Sequence, residues 1–203
     1  MRPTDTHIAA RARQVIAALC ICISLSAQVT DRDLFDAYLK EDMSVWKEYI
    51  DNLSTFNFQL STLLYEYGYC GYIVSADKEA AKPYVRRFKE HIEAQKTSLP
   101  KGHYEMWMSA VLVFELRLKE SIHPIKAMSL AKEATKLAPN DPVVLSYYGT
   151  CLFYAPKPFG SKAEALEWFE AAQARFGGDE WKYSWLREAN EMYINQCREK
   201  LKK

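Results

Sequence analysis

The feature that most constrains this chain is that it repeats. Val111, Phe114 and Leu118 return 34 residues later as Leu145, Tyr148 and Leu152, and each triplet has the i, i+3, i+7 spacing of one helix face. Ala127, Ala131, Ala134 and Pro139 return 38 residues later as Ala165, Phe169, Ala172 and Gly177, and Leu145 and Tyr148 return at the same distance as Tyr183 and Leu186. The four extra residues fall between Leu152 and Ala165, where Ala155-Pro156-Lys157-Pro158-Phe159-Gly160 reads as a loop insertion. A unit that recurs at this length is a supersecondary pair whose apolar stripe is buried only against its neighbours.

Upstream the helical period continues without strand-like alternation. Thr30-Asp31-Arg32-Asp33 is a helix-start signature backed by Leu34, Tyr38 and Leu39, and Met43, Trp46, Tyr49, Ile50 and Leu53 repeat the spacing. Leu60, Leu63, Leu64, Tyr67 and Gly71 run along a third helix ending near Ser75. Asp77 caps a fourth, with Pro83 near its first turn and Tyr84, Phe88 and Ile92 on one face. Leu99-Pro100-Lys101-Gly102 is a breaker. Of 203 residues 49% are hydrophobic, with only 7 Gly and 8 Pro, which excludes a disordered or collagen-like chain.

In the central unit a helix carrying Leu145, Tyr148, Gly149 and Leu152 precedes one carrying Ala165, Phe169 and Ala172. This pattern resembles the tetratricopeptide repeat. The resemblance implies an all-α fold, an α-solenoid of antiparallel helix pairs in a right-handed superhelix, with Gly149 and Ala165 small where two helices cross closely. The unit before it carries Val111, Phe114, Leu118, Ala127, Ala134 and Pro139, with Glu115 where glycine is usual. Repeats of about 106–140 and 141–177 would follow a degenerate one of about 57–99, in which Leu64, Tyr67, Gly68, Ala80 and Tyr84 fit but Arg87 takes a small-residue position. Capping helices of about 31–54 and 179–202 would close the two ends, Arg187 replacing the small residue in the second.

Residues 1–27 read as a cleaved export signal. Arg2, Arg11 and Arg13 precede an apolar run from Val15 to Leu25, and Ser26-Ala27 ends it. The run is short of the roughly 20 apolar residues that span a bilayer. Neither Cys20 nor Cys22 follows a small residue, so a lipoprotein anchor is not expected. Cleavage near Ala27 leaves a single domain, 28–203, with one net negative charge and no basic field for nucleic acid. With Asp42-Met43, Trp46, Tyr65-Glu66-Tyr67-Gly68-Tyr69, Leu137-Ala138-Pro139-Asn140-Asp141-Pro142 and Pro158-Phe159-Gly160, the chain is similar to small exported tetratricopeptide-like proteins of the Gram-negative envelope. That similarity implies a periplasmic or secreted address.

Motifs for chemistry are missing from the sequence. No HExxH, CxxC, GxSxG, GxGxxG or Gly-rich phosphate loop occurs, so no metal, cofactor or catalytic residue is expected. His91, His103 and His123 read as surface or turn histidines, and the acid pairs Glu115 with Glu120, Glu164 with Glu167 and Glu188 with Glu191 as solvated faces. Cys70, Cys151 and Cys197 read as small core residues, and no spacing selects a disulfide.

The groove positions implied by the repeat are Val143, Ser146, Thr150, Phe153 and Tyr154 in the central unit, Leu112 and Leu116 before it, and Trp181 and Glu188 after it. A groove aromatic in its middle and acidic at its C-terminal end suits an apolar helix or an extended peptide carrying Lys or Arg. Alternatively, Phe153, Tyr154 and Trp181 pack on the inserted loop or the N-terminal helices. The expected function is a non-catalytic protein–protein interaction module, an adaptor or scaffold in the bacterial periplasm. The alternative is a small-ligand or glycan binder using an aromatic concave face. Stable membrane insertion after signal removal is not expected.

Overall fold

The computed structural model describes residues 29–53 and 61–202. The export signal read over 1–27 and the beginning of the degenerate unit lie outside them. The described residues form nine α-helices and no strand: α1 (Asp31–Leu39), α2 (Met43–Asp51), α3 (Thr62–Ala76), α4 (Lys78–Ala94), α5 (His103–Leu118), α6 (Pro124–Leu137), α7 (Pro142–Tyr154), α8 (Lys162–Gln173) and α9 (Trp185–Leu201). None of these helices is long and apolar enough to cross a membrane.

Most helix starts are set by one short polar side chain. Thr30 Oγ1 accepts the Asp33 N–H at 3.2 Å while Asp33 Oδ2 accepts the Thr30 N–H at 2.9 Å, a reciprocal capping box. Asp77 Oδ1 accepts from Ala80 N at 3.0 Å ahead of α4. Asp141 Oδ1 takes two amides, Val143 at 2.9 Å and Val144 at 3.2 Å, ahead of Pro142 as the first residue of α7. The last helix differs from expectation. Asp179–Trp181 makes only a 3-10 turn, and α9 begins at Trp185, where Ser184 Oγ accepts the Arg187 N–H at 3.4 Å. Tyr183 therefore precedes the helix, and its ring centroid lies 6.1 Å from that of Phe35.

Each α-helix packs on the next in sequence from α1 to α9. In addition α3 packs on α5, α5 on α7, α7 on α9, and α9 returns to α1. Helix ends are tied in register. His103 Nε2 is hydrogen-bonded to Asp141 Oδ2 at 2.9 Å across the starts of α5 and α7, and Arg117 Nη2 donates to Ser75 Oγ at 2.6 Å across the ends of α5 and α3. Thus α3, α5 and α7 begin at one edge of the molecule and end at the other.

Leu145, Tyr148, Gly149, Leu152, Ala165, Phe169 and Ala172 are all buried between α7 and α8. A Cβ built on Gly149 would lie 2.9 Å from the Phe169 ring, so the two helices approach to a distance that only glycine allows. The α3–α4 pair departs from the expected positions. Ala80 is exposed and Tyr84 half-buried, whereas Ala81, Val85, Phe88 and Ile92 are buried. On α3 the buried stripe is Leu63, Glu66, Cys70 and Val74, with Leu64 and Tyr67 beside it. A buried carboxylate, Glu66, accompanies this one-residue displacement, and Arg87 and His91 come in from α4 to meet it.

Candidate binding cleft

Of the residues expected to line a groove, four are closed off. Val143, Ser146, Phe153 and Leu112 are buried. Near them the Tyr67 ring sits among α5, α7 and α9, with centroids 5.5 Å from Trp107, 5.9 Å from Phe114, 5.8 Å from Tyr147 and 6.1 Å from Trp185. Large rings at the meeting point of four helices fill the space that smaller side chains would leave open. Phe153 is held between Phe169 and Tyr193 rather than on the inserted loop, and the Lys162 and Lys200 ammoniums lie 4.0 and 4.6 Å from its centroid.

The remaining predicted positions are partly open. Thr150 is half-buried, its hydroxyl donating to the Ser146 carbonyl at 3.0 Å. Leu116 and Glu188 are half-buried. Trp181 packs edge-on against Phe176, centroids 4.9 Å apart. Tyr154 is 66% exposed, with its hydroxyl 3.2 Å from that of Tyr193.

The most developed aromatic concavity lies elsewhere, between α1, α2, α3 and α9. Tyr38, Glu41, Met43, Trp46, Gly68, Tyr72 and Trp185 line a cleft of about 460 Å³. Gly68 forms its floor: a Cβ there would lie 2.5 Å from Trp46 and 2.9 Å from Trp185. The two indoles meet edge to face at 5.5 Å, and Tyr38 stands 6.1 Å from Trp46 and 5.8 Å from Trp185. Trp46 Nε1 donates to the Leu34 carbonyl at 2.7 Å, which locks α2 against α1. Trp185 Nε1 is buried with no acceptor among the described residues. Burial, and then the nearby Glu188 carboxylate, raise the Tyr38 phenol above its usual range. Glu41, in a left-handed turn at φ 58°, is exposed on the lip, so this cleft is apolar with two acids beside it.

Polar chemistry is concentrated between α3 and α4. Glu66, only 2% exposed, is hydrogen-bonded to His91 Nδ1 at 2.9 Å, and Arg87 Nε lies 3.5 Å from its other oxygen. Arg87 also lies 3.9 Å from Asp51 and 5.2 Å from the Tyr84 ring. The arginine that breaks the small-residue pattern is thus the counter-charge of a buried acid. His91 and His103 are correspondingly half-buried and carboxylate-bound, not surface residues, while His123 is exposed. The acid Glu115 likewise pairs with Lys89 at 3.0 Å.

The three described cysteines are free. Burial pushes the Cys151 thiol up to about 12 and raises Cys70 and Cys197 as well, so all three stay protonated and poorly nucleophilic at neutral pH. Among the described residues no group of three or more His, Cys, Asp or Glu is placed to hold a metal ion.

In the sequence Tyr38, the pair Met43 and Trp46, and Gly68 belong to three different helices, and no local spacing joins them to Trp185. No family model matches the chain, and neither a curated protein nor a solved structure shows significant similarity to it.

Proposed function

We propose that the protein is a non-catalytic interaction module, a stack of tetratricopeptide-like antiparallel helix pairs that holds a segment of a partner protein in the cleft around Gly68. The observation that carries this reading is an apolar cleft with open lips, Met43 and Tyr72, set beside the acids Glu41 and Glu188. Such a cleft takes a short segment with one large apolar side chain and a flanking Lys or Arg. The pattern of helix contacts, each on the next and alternate helices on one another, supports the repeat reading. Export through residues 1–27 would put this module in the envelope of a Gram-negative cell.

Glycan binding is the weaker reading of the same cleft. A sugar stacks on an open ring face, but Trp46 is 1% and Trp185 8% exposed, their faces already spent on one another.

The test is selection from a random peptide library on the purified protein, followed by titration of the enriched sequences using tryptophan fluorescence. Enriched peptides should share an apolar residue next to a basic one. Tyr72→Ala with Met43→Ala should weaken them at least tenfold without moving the melting temperature by more than a few degrees. Peptides that bind the double variant as well as the parent would remove the cleft from consideration, and a fluorescence response to sugars instead would favour the second reading.

A further inference from the structure

The edge at which α5 and α7 end carries a second surface, independent of the cleft. Ile122 is 84% and Ile125 72% exposed at the α5–α6 turn, beside a shallow depression of about 510 Å³ floored by Leu130 and Ser129. Phe159, in the α7–α8 loop, is 57% exposed, and Leu201, at the end of α9, is 49% exposed. These three sites lie along one edge. The paired starts of α5 and α7 put their ends together, and Lys162 and Lys200 on the Phe153 ring bring the start of α8 and the end of α9 to the end of α7.

A lysine stands next to each apolar group. Lys119 and Lys126 flank the isoleucines, Lys157 and Lys162 flank Phe159, and Lys200 and Lys202 flank Leu201. None of the six has an ion-pair partner among the described residues, in contrast to Lys47, Lys82, Lys89 and Lys136. Three exposed acids, Glu120, Glu164 and Glu199, stand among these six lysines, and the start of α4 adds Asp77 and Glu79 with Lys78 and Lys82, so positive charge predominates. Burial and the neighbouring Lys200 ammonium lower the affinity of Lys162 for its proton, a sign of crowded like charge.

We propose that this edge is a lipid-facing surface that seats the protein on a bilayer containing anionic headgroups. Ile122, Ile125, Phe159 and Leu201 enter the interfacial layer, and the lysines meet the headgroup phosphates. Single aliphatic and aromatic side chains spread over three turns suit a plane, whereas a peptide needs one continuous groove. The unpaired lysines provide the charge complementarity, each contributing roughly fivefold to affinity for an anionic membrane surface at moderate salt. Exposed aliphatics beside them argue against nucleic acid, which offers them no apolar partner.

The experiment is co-sedimentation with vesicles of phosphatidylethanolamine and phosphatidylglycerol, compared with vesicles of phosphatidylcholine alone. All proteins carry the same amino terminus, so differences among variants report the edge and not the apolar run near residue 20. The parent should partition onto the anionic vesicles, less so as salt rises, and weakly onto the neutral ones. Ile122→Ser with Ile125→Ser should lower partitioning more than tenfold, and Lys157→Glu with Lys202→Glu by a similar factor. Lys96→Glu with Lys101→Glu, at the opposite edge, should leave it unchanged. All replaced residues are exposed, and an unchanged circular dichroism melt checks the fold. The proposal falls if no anionic partitioning is seen, if neutral vesicles bind equally, or if both edges respond alike. It also falls if the isoleucine variant keeps its vesicle binding and instead loses self-association. None of these results bears on the cleft, whose peptides are measured without lipid.

Discussion

The helix pairs α7–α8 and α3–α4 are closed in different ways. In α7–α8 the contact is internal: Gly149 lies under Phe169 of its own partner helix, and small and large apolar residues alternate around it. In α3–α4 the interior holds Glu66 with Arg87 and His91, and Gly68 meets Trp46 of α2 and Trp185 of α9. At Gly149 the close contact is with the partner helix of the same pair, whereas at Gly68 it is with α2, 22 residues before it, and α9, 117 residues after it. Self-contained packing resists change at a single contact, whereas shared packing leaves an edge where a partner can enter.

The largest effect should come from breaking the internal contact. Gly149→Leu has no room to adjust, since even a Cβ meets Phe169 at 2.9 Å, and should destabilise by about 3 kcal/mol in urea unfolding. Phe169→Ala should recover part of that loss, because the two changes share one cavity. Gly68→Ala is the contrasting case: its Cβ would meet Trp46 of α2 at 2.5 Å and Trp185 of α9 at 2.9 Å, buried indoles that must shift against other helices, so about 2 kcal/mol is expected. Equal costs at the two glycines would mean that the two pairs are packed alike.

The next effect tests the buried charge. Arg87→Ala leaves the Glu66 carboxylate inside without its arginine counter-charge and with His91 beside it, which should cost about 2 kcal/mol. Replacing both, Glu66→Leu with Arg87→Leu, should restore most of the stability, since a buried ion pair gains little over apolar side chains of similar size. A double variant no better than the single one would show that the ion pair itself, and not the stranded acid, holds α3 to α4.

The helical class and two helix starts could be read in advance because they depend on near neighbours. Thr30 and Asp77 cap amides three residues away, and a 3.6-residue stripe needs no knowledge of what covers it. Position within a stripe is harder. The repeat pattern puts Tyr67 and Tyr84 at the inner places of this pair, which Glu66 and Val85 hold instead. The expected groove positions Val143, Ser146, Phe153 and Leu112 are buried as well, and at Phe153 the cover is Tyr193 of α9. The cleft was illegible because Tyr38, Trp46, Gly68 and Trp185 come from four helices, and no local spacing relates them.

The smallest effect concerns the tie between pairs. Burial alone would raise the Asp141 carboxyl, but the hydrogen bond and charge of His103 and the Val144 and Val143 amides together hold it below its usual range. A carboxyl depressed in the folded state contributes stability above its unfolded value near 3.9, and loses it as pH falls through the lower folded value. This contribution is therefore complete at neutral pH and disappears only in acid. Asp141→Asn keeps a good cap and should cost only about 0.5 kcal/mol at pH 7. The gap between variant and parent should begin to narrow in urea titrations below about pH 4 and close once the pH is below the lowered folded value, where the parent carboxyl is neutral as well. A gap that persists in acid would trace the loss to the altered hydrogen bond with His103. The tie between α5 and α7 would then be one of geometry, as it is at Gly149, and not of charge, as it is at Glu66.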